Sequence, residues 1–180
     1  SFDRPRYFQH FWETPKFLIG WIPSQSTAGE SKIFGGCEYS FLWEGGEGHL
    51  RTFMDEKKRL ENYTSAIWRA GSQYWGQRGV LVSLMGNLPV SLYAGGAFDQ
   101  NTALLVPKSA QKLRELWNYC SQQLFSENVR SVDQSLKVTT ATLERIPFVS
   151  NDNPRSPLFI SKIPLPFTDK PTEWIFHGHP

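Results

Sequence analysis

Apolar and polar positions change over short distances in this chain, a pattern that predicts short strands and a few helices. Phe17 to Ile22 is a compact apolar run stopped by Pro23, as expected of a buried strand with proline at its exit. The polar stretch Ser24 to Ser31 reads as a solvated, adaptable surface loop. Tyr39 to Trp43, bracketed by Gly35-Gly36 and Gly45-Gly46, predicts the next strand. From His49 to Tyr63 the residues turn to Lys, Arg, Glu, Leu and Met. Leu50, Phe53, Met54 and Leu60 fall near helical spacing there, so a helix with a charged outer face is expected.

Tyr74-Trp75-Gly76-Gln77-Arg78-Gly79 is a glycine-punctuated turn leading into the β-branched strand Val80 to Leu84. Pro89 to Tyr93 follows Met85-Gly86-Asn87-Leu88, whose Gly and Asn suit a tight reversal, so the two segments are expected to pair as a hairpin. Thr102 to Val106, stopped by Pro107, is a third strand. Ser109 stands where an N-cap belongs, before a helix carrying Leu113, Leu116, Trp117 and Cys120. Leu124 to Arg130 predicts a second short helix, and Leu143 to Phe148 a terminal extended segment. Pro154, Pro157, Pro164 and Pro166 keep the following stretch out of helix. The expected fold is mixed α+β: a small, twisted, mostly antiparallel sheet with flanking helices and long loops over residues 1–150, then an extended proline-rich arm over 151–180.

Composition narrows this picture only slightly. At 180 residues, 39% hydrophobic and 14% aromatic, the chain has the apolar content of one compact domain. No apolar run is long enough to span a bilayer and no signal peptide is visible, so a cytoplasmic protein is expected. The opening Ser1-Phe2-Asp3-Arg4-Pro5, without Met, reads as a piece excised from a longer chain. Cys37 and Cys120 lie far apart with no CxxC spacing, which implies neither a disulfide framework nor a zinc knuckle and suits a reducing compartment. The net charge of +2, from 19 basic and 17 acidic residues, does not by itself point to nucleic acid.

Local phrases are more specific. "WGQRGVLVSLMGNLPVSLYAGGAFDQNTALLVPKS", followed by "LRELWNYCSQQLFSENVRSVDQSLKVTTATLERIPF", resembles the TaqI-like C-terminal specificity domain, the target-recognition domain of type IIG and BREX-like adenine-N6 DNA methyltransferases. In that family a strand pair precedes a D-x-N-T turn, here Asp99-Gln100-Asn101-Thr102. Upstream, "FGGCEYSFLWEGGEG" is similar to the family's glycine-bracketed strand, and "PTEWIFHGHP" resembles a phrase that follows the specificity region. Ser150 to Asp169 departs from the pattern. The resemblance implies a domain that docks on duplex DNA and helps select its sequence. A methyltransferase domain of the same parent chain would bind S-adenosylmethionine and methylate a flipped adenine. The Asn/Asp-Pro-Pro-aromatic signature of that chemistry is absent, and Gly45-Gly46-Glu47-Gly48 opens no dinucleotide-binding unit, so no catalytic or cofactor-binding residue is expected here.

DNA contact calls for cations toward phosphates, forked or amide side chains toward base edges, and apolar or aromatic groups against bases. Three places supply such mixtures. Arg69, Ser72, Gln73, Tyr74, Gln77 and Arg78 form the first; the alternative is a solvated loop with Tyr74 and Trp75 packed inward. Ser83, Met85 and Asn87 in the hairpin connection form the second, where simple turn chemistry also accounts for Asn87. Arg130, Gln134 and Lys137, with Asp133, Thr139 and Thr140 among them, form the third, which reads equally as a capped helix terminus. Lys57-Lys58-Arg59 lies among acidic residues and reads as a solvated helix face, and His177-Gly178-His179 lacks the further ligands of a metal site. Two other classes of function stay open: an interdomain docking module using Trp174, Ile175 and Phe176, and a small hydrolase or sugar-processing enzyme, which needs a pocket with two converging titratable groups.

Overall fold

The computed structural model describes residues 4–14, 19–61, 69 and 71–149. The proposed arm, the 174–176 and 177–179 motifs and the start of the first expected strand lie outside them. The elements run α1 (Arg4–Tyr7), β1 (Phe8–His10), β2 (Trp21–Gln25), β3 (Tyr39–Leu42), α2 (His49–Glu61), β4 (Val80–Ser83), β5 (Val90–Leu92), β6 (Ala97–Phe98), β7 (Thr102–Leu105), α3 (Leu113–Cys120), α4 (Gln123–Val132) and α5 (Thr140–Arg145). This is the expected α+β class. The strands divide into two sheets, however, a four-stranded one in the order β1-β3-β2-β6 and a three-stranded one in the order β5-β4-β7. Among the described residues, only the β2–β6 pairing is parallel.

The three-stranded sheet forms as its sequence suggests. Val82 pairs with Val90 across the hairpin and with Ala103 on the other side, which makes β4 the central strand and buries all of it. Amphipathic α3 and α4 close over one face, and Leu113, Trp117, Phe125 and Val129 join Val80, Val82, Leu84 and Leu92 in the main core. Each such aliphatic side chain stabilises the fold by roughly 1.5–3 kcal/mol on transfer from water. The second core is smaller: Tyr7, Phe41, Leu50, Met54 and Ala97 between the four-stranded sheet and α2.

Gln25 joins the two sheets. It is 1% exposed, and its Nε2 donates to the carbonyls of Gly35 (2.9 Å) and Leu92 (2.8 Å) and to Ser91 Oγ (3.0 Å). Its Oε1 accepts from Ala94 N (2.8 Å). The side chain thus carries the end of β2 into the edge of the other sheet with its polar atoms paired. Gly96 lets β6 approach β2 closely, since a Cβ there would stand 2.1 Å from the Pro23 carbonyl oxygen.

Several sequence expectations need correction. Pro23 does not end its strand, because β2 continues to Gln25 and the pairing with β6 begins only at Ser24, so the missing N–H costs no ladder bond on that side. The 24–31 stretch is no freely adaptable loop. Ser24 and Gln25 are in β2, Ser26 N bonds Gly36 O (2.8 Å), Ser31 Oγ accepts from Val90 N (3.2 Å), and Lys32 N and Leu92 N exchange bonds with Val90 O and Ile33 O. These contacts cover the outer edge of β5. Leu60 is 68% exposed, since the apolar stripe of α2 is buried only through Leu50, Phe53 and Met54. Ser109 has extended dihedrals but opens a 3₁₀ turn, Ala110–Lys112, with no side-chain cap bond. Leu143 to Arg145 is helical rather than extended: Thr139 caps α5 by accepting from Thr142 N (3.2 Å), and Pro147 disfavours helical dihedrals at Ile146.

Candidate nucleic-acid interface

The β4–β5 hairpin projects the turn Met85-Gly86-Asn87-Leu88. Gly86 (φ +61°) and Leu88 (φ +54°) both take the left-handed conformation, and Leu88 N closes the turn on Met85 O (3.2 Å). The left-handed state costs a non-glycine residue about 1–2 kcal/mol. Burial of the Leu88 side chain, 1% exposed, offsets that strain, while Met85, Gly86 and Asn87 remain exposed. Ser83 stands at the foot of this tip and lines the same hollow as Met85, Gly86 and Asn87. It lies within β4 opposite Thr102 and is 4% exposed, because the central strand is covered on both faces.

The segment after α4 is fastened to the same turn. Val138 N donates to Leu84 O (3.0 Å), and Met85 and Lys137 form an antiparallel bridge. Arg130 holds both sides, its guanidinium donating to Gly86 O (2.6 Å) and to Ser135 O. Lys137 Nζ donates to Asn101 Oδ1 (3.0 Å) in the turn between β6 and β7. Asp133 accepts from Ser135 N (3.0 Å), Ser135 Oγ and Thr142 Oγ1 (2.7 Å), and these donors hold its carboxyl at about 2, below the usual 3.8. Asp133 and Thr139 therefore serve the loop and the helix cap. Gln134 and Lys137 are exposed.

The Asp99–Thr102 turn forms as expected from the D-x-N-T phrase. Asp99 Oδ1 accepts from Asn101 N (2.9 Å), its carbonyl from Thr102 N (3.1 Å) and Thr102 Oγ1 (2.7 Å), and its Oδ2 from Ser26 Oγ (2.9 Å). On one side of this turn lies the group at 69–78. The 3₁₀ turn Ser72–Tyr74 leaves Gln73 and Tyr74 exposed, whereas Trp75 packs edge-on against Trp43 at 4.7 Å, so only the tryptophan follows the inward reading. Ser72, Gln77 and Arg78 are half-buried and Arg69 is exposed. Gln73 and Tyr74 share with Asp99, Gln100, Thr140 and Glu144 a hollow of about 530 Å³ along β7.

On the other side, Asn101 reaches a hollow of about 570 Å³ that also contains Thr27, Ser31, Met85, Gly86 and Asn87. Across the hairpin tip a third, of about 560 Å³, is lined by Ser31, Asn87, Gln122, Gln123, Glu127 and Arg130. The second and third groups of candidates are thus one physical unit, and the Asp99–Thr102 turn lies between that unit and the first. Gln100, Asn101, Gln122 and Gln123 are not among the contact candidates expected from the sequence, and Ser31 enters only as the end of the 24–31 surface loop. Their only signal was amide and hydroxyl chemistry in loops that the fold brings beside the hairpin tip.

The surroundings are rich in amides and hydroxyls but mixed in charge, since Glu30, Glu127 and Glu144 line the hollows along with Arg130. Asp99 and Glu144 line one hollow, but Asp99 Oδ1 is engaged within the turn and its Oδ2 accepts from Ser26 Oγ outside it. Burial pushes the Cys37 and Cys120 thiols up to about 12, with Glu38 adding to the effect at Cys37. Among the described residues there is no His, Cys, Asp or Glu grouping suited to a metal and no helix long and apolar enough to cross a membrane. No known family model and no curated protein sequence matches the chain.

Proposed function

We propose that this chain is a DNA-reading module that docks on duplex DNA through the face centred on the Asp99–Thr102 turn, as the specificity part of an adenine-N6 DNA methyltransferase of restriction-modification type. The reading is cytoplasmic and non-catalytic, with S-adenosylmethionine and methyl transfer belonging to a methyltransferase domain of the parent chain. One observation carries it. Three sequence-distant groups, at 73–74, at 85–87 and at 134–137, border one turn, and they offer to a groove the amides, the ammonium group and the methionine that base-edge and phosphate contacts use.

The geometry alters the division of labour among the candidates. Arg130 is half-buried and clamps two protein carbonyls, whereas Lys137 is exposed and retains donors beyond its bond to Asn101. Lys137 is therefore the cation best placed for a phosphate, with Gln73, Gln100, Gln134 and Asn87 available to base edges. With so few cations on this face, the steep salt dependence expected of a basic groove gives way to a shallow one. Binding to a mixed-sequence duplex pool should weaken with salt along a log–log slope of about −2, and Lys137→Ala should reduce that slope by about 1. An unchanged slope in the variant, or no binding by the parent protein, removes Lys137 or the reading itself.

A second reading has its own observation. Phe148 and Val149 are 46% and 58% exposed, and Phe148 packs edge-on against Tyr119 at 5.3 Å. Such a surface suits docking against a neighbouring domain, and it is compatible with DNA contact elsewhere.

A further inference from the structure

The four-stranded sheet carries a ladder of rings that the duplex-binding face does not use. Across the β1–β3 register, Phe8 stacks on Phe41 (centroids 4.6 Å apart, 21° between planes) and His10 stacks on Tyr39 (4.6 Å, 24°). The pairs lie two residues apart on each strand and therefore on one face. At the inner end Phe41 is 2% exposed. At the outer end Trp12 continues the column by lying on His10 at 4.3 Å, with only 11° between the planes. Trp12 is 62% exposed.

The column's open end is built, not incidental. Trp12 sits in a turn closed by Glu13 N on His10 O (2.9 Å) and by His10 N on Glu13 Oε2 (3.0 Å). Thr14 Oγ1 donates to Phe11 O (3.0 Å) and reaches Ser40 Oγ on β3 (3.3 Å), and the Phe11 ring meets Trp12 edge-on at 5.0 Å. His10 Nδ1 is buried without a hydrogen-bond partner, so the imidazole ring offers its faces while that ring nitrogen goes unused. Tyr39, His10 and Trp12 thus form a near-parallel stack that ends on the largest π-face available, held in place and open to solvent.

We infer that Trp12 is a stacking platform for a nucleobase that is not stacked in a duplex, an extruded or single-stranded base, with the ring adding as the next layer on Tyr39–His10–Trp12. This rests on the nucleic-acid reading and extends it to a second contact. A planar heteroaromatic ring matches the chemistry because stacking is tolerant of base identity and needs no charge at the site. Intact duplex offers no such face away from its ends.

The test compares the full chain with Trp12→Ala and Trp12→Phe, by fluorescence anisotropy, on a labelled oligothymidylate and on a blunt mixed-sequence duplex whose ends are closed by hairpin loops linked through non-nucleosidic spacers. Trp12→Ala should weaken oligothymidylate binding about tenfold, Trp12→Phe by less than about threefold, and neither should change duplex affinity. Thermal melts of both variants should match the parent, as befits an exposed side chain. Equal oligothymidylate affinity for the parent and Trp12→Ala, or equal losses in the alanine and phenylalanine variants, overturns the stacking role while leaving the duplex reading intact. Binding of duplex but not of oligothymidylate by the parent does the same. Failure of the parent to bind either probe overturns the nucleic-acid reading, and the platform with it.

Discussion

The three-stranded sheet is organised around β4, every residue of which is buried, whereas the four-stranded sheet keeps β1 half-exposed along its length and ends in Trp12 standing in solvent. Aliphatic side chains and two amphipathic helices close the first. Stacked rings, α2 and the short α1 supply the second, whose buried centre is little more than Tyr7, Phe41, Leu50, Met54 and Ala97. The difference separates two tasks. The aliphatic core fixes the hairpin tip and the segment clamped to it as one rigid head, while the aromatic sheet trades burial for ring faces at its edge. Gln25 is the point at which the two share polar contacts.

Breaking that link should have the largest effect. Gln25→Leu keeps the bulk but leaves Ala94 N and the carbonyls of Gly35 and Leu92 without their partner, so it should cost about 3 kcal/mol or more in chemical denaturation. Hydrogen exchange should speed up first in β2 and in the 31–36 segment, and uniform loss of protection across both sheets would contradict the idea that Gln25 joins two separately organised units. Gln25→Glu should not restore stability, because a carboxylate cannot donate to the two carbonyls.

Loosening the rigid head is a smaller change. Arg130→Ala removes the donors on Gly86 O and Ser135 O and should cost about 1 kcal/mol, with faster amide exchange confined to residues 85–88 and 133–137. Arg130→Lys should recover little, since one ammonium does not reproduce the fork that reaches both carbonyls. Unaltered exchange at 85–88 in the alanine variant would show that the turn is held by Leu88 burial alone.

How much of this was legible in the sequence differs between the same two regions. The β-branched run at 80–84, the Gly-Asn reversal and the helix after Pro107 are local signals, and the fold uses them nearly as read. The D-x-N-T turn is local as well, since Asp99 bonds its own neighbours. What was not legible depended on distant partners. Pro23 stays within a strand because β6 pairs only beyond it, the 24–31 loop is held by β5, and Ser83 is buried by strands on both sides. The meeting of Lys137 with Asn101 and of Arg130 with Gly86 spans residues far apart in sequence, so no periodicity or spacing encodes it.

The acid response should be the mildest test. The Asp133 carboxyl is lowered to about 2 from 3.8, so its ionised form favours the folded state: the contribution is present above pH 3.8 and fades as pH falls toward 2. The stability gap between the parent and Asp133→Asn should therefore narrow over that window, and a constant gap would mean that the hydrogen bonds from Ser135 and Thr142 do not depend on its charge.

The proposed docking of duplex DNA on the face around the Asp99–Thr102 turn can be read out most directly by photocrosslinking to a bromouracil-substituted duplex pool with peptide mapping. Adducts are expected on the peptides carrying Tyr74, Met85, Gln100 and Gln134–Lys137. Adducts confined to the exposed side of α2, around Lys57 to Arg59, or adducts lost when unlabelled duplex competes only through its ends, would contradict it.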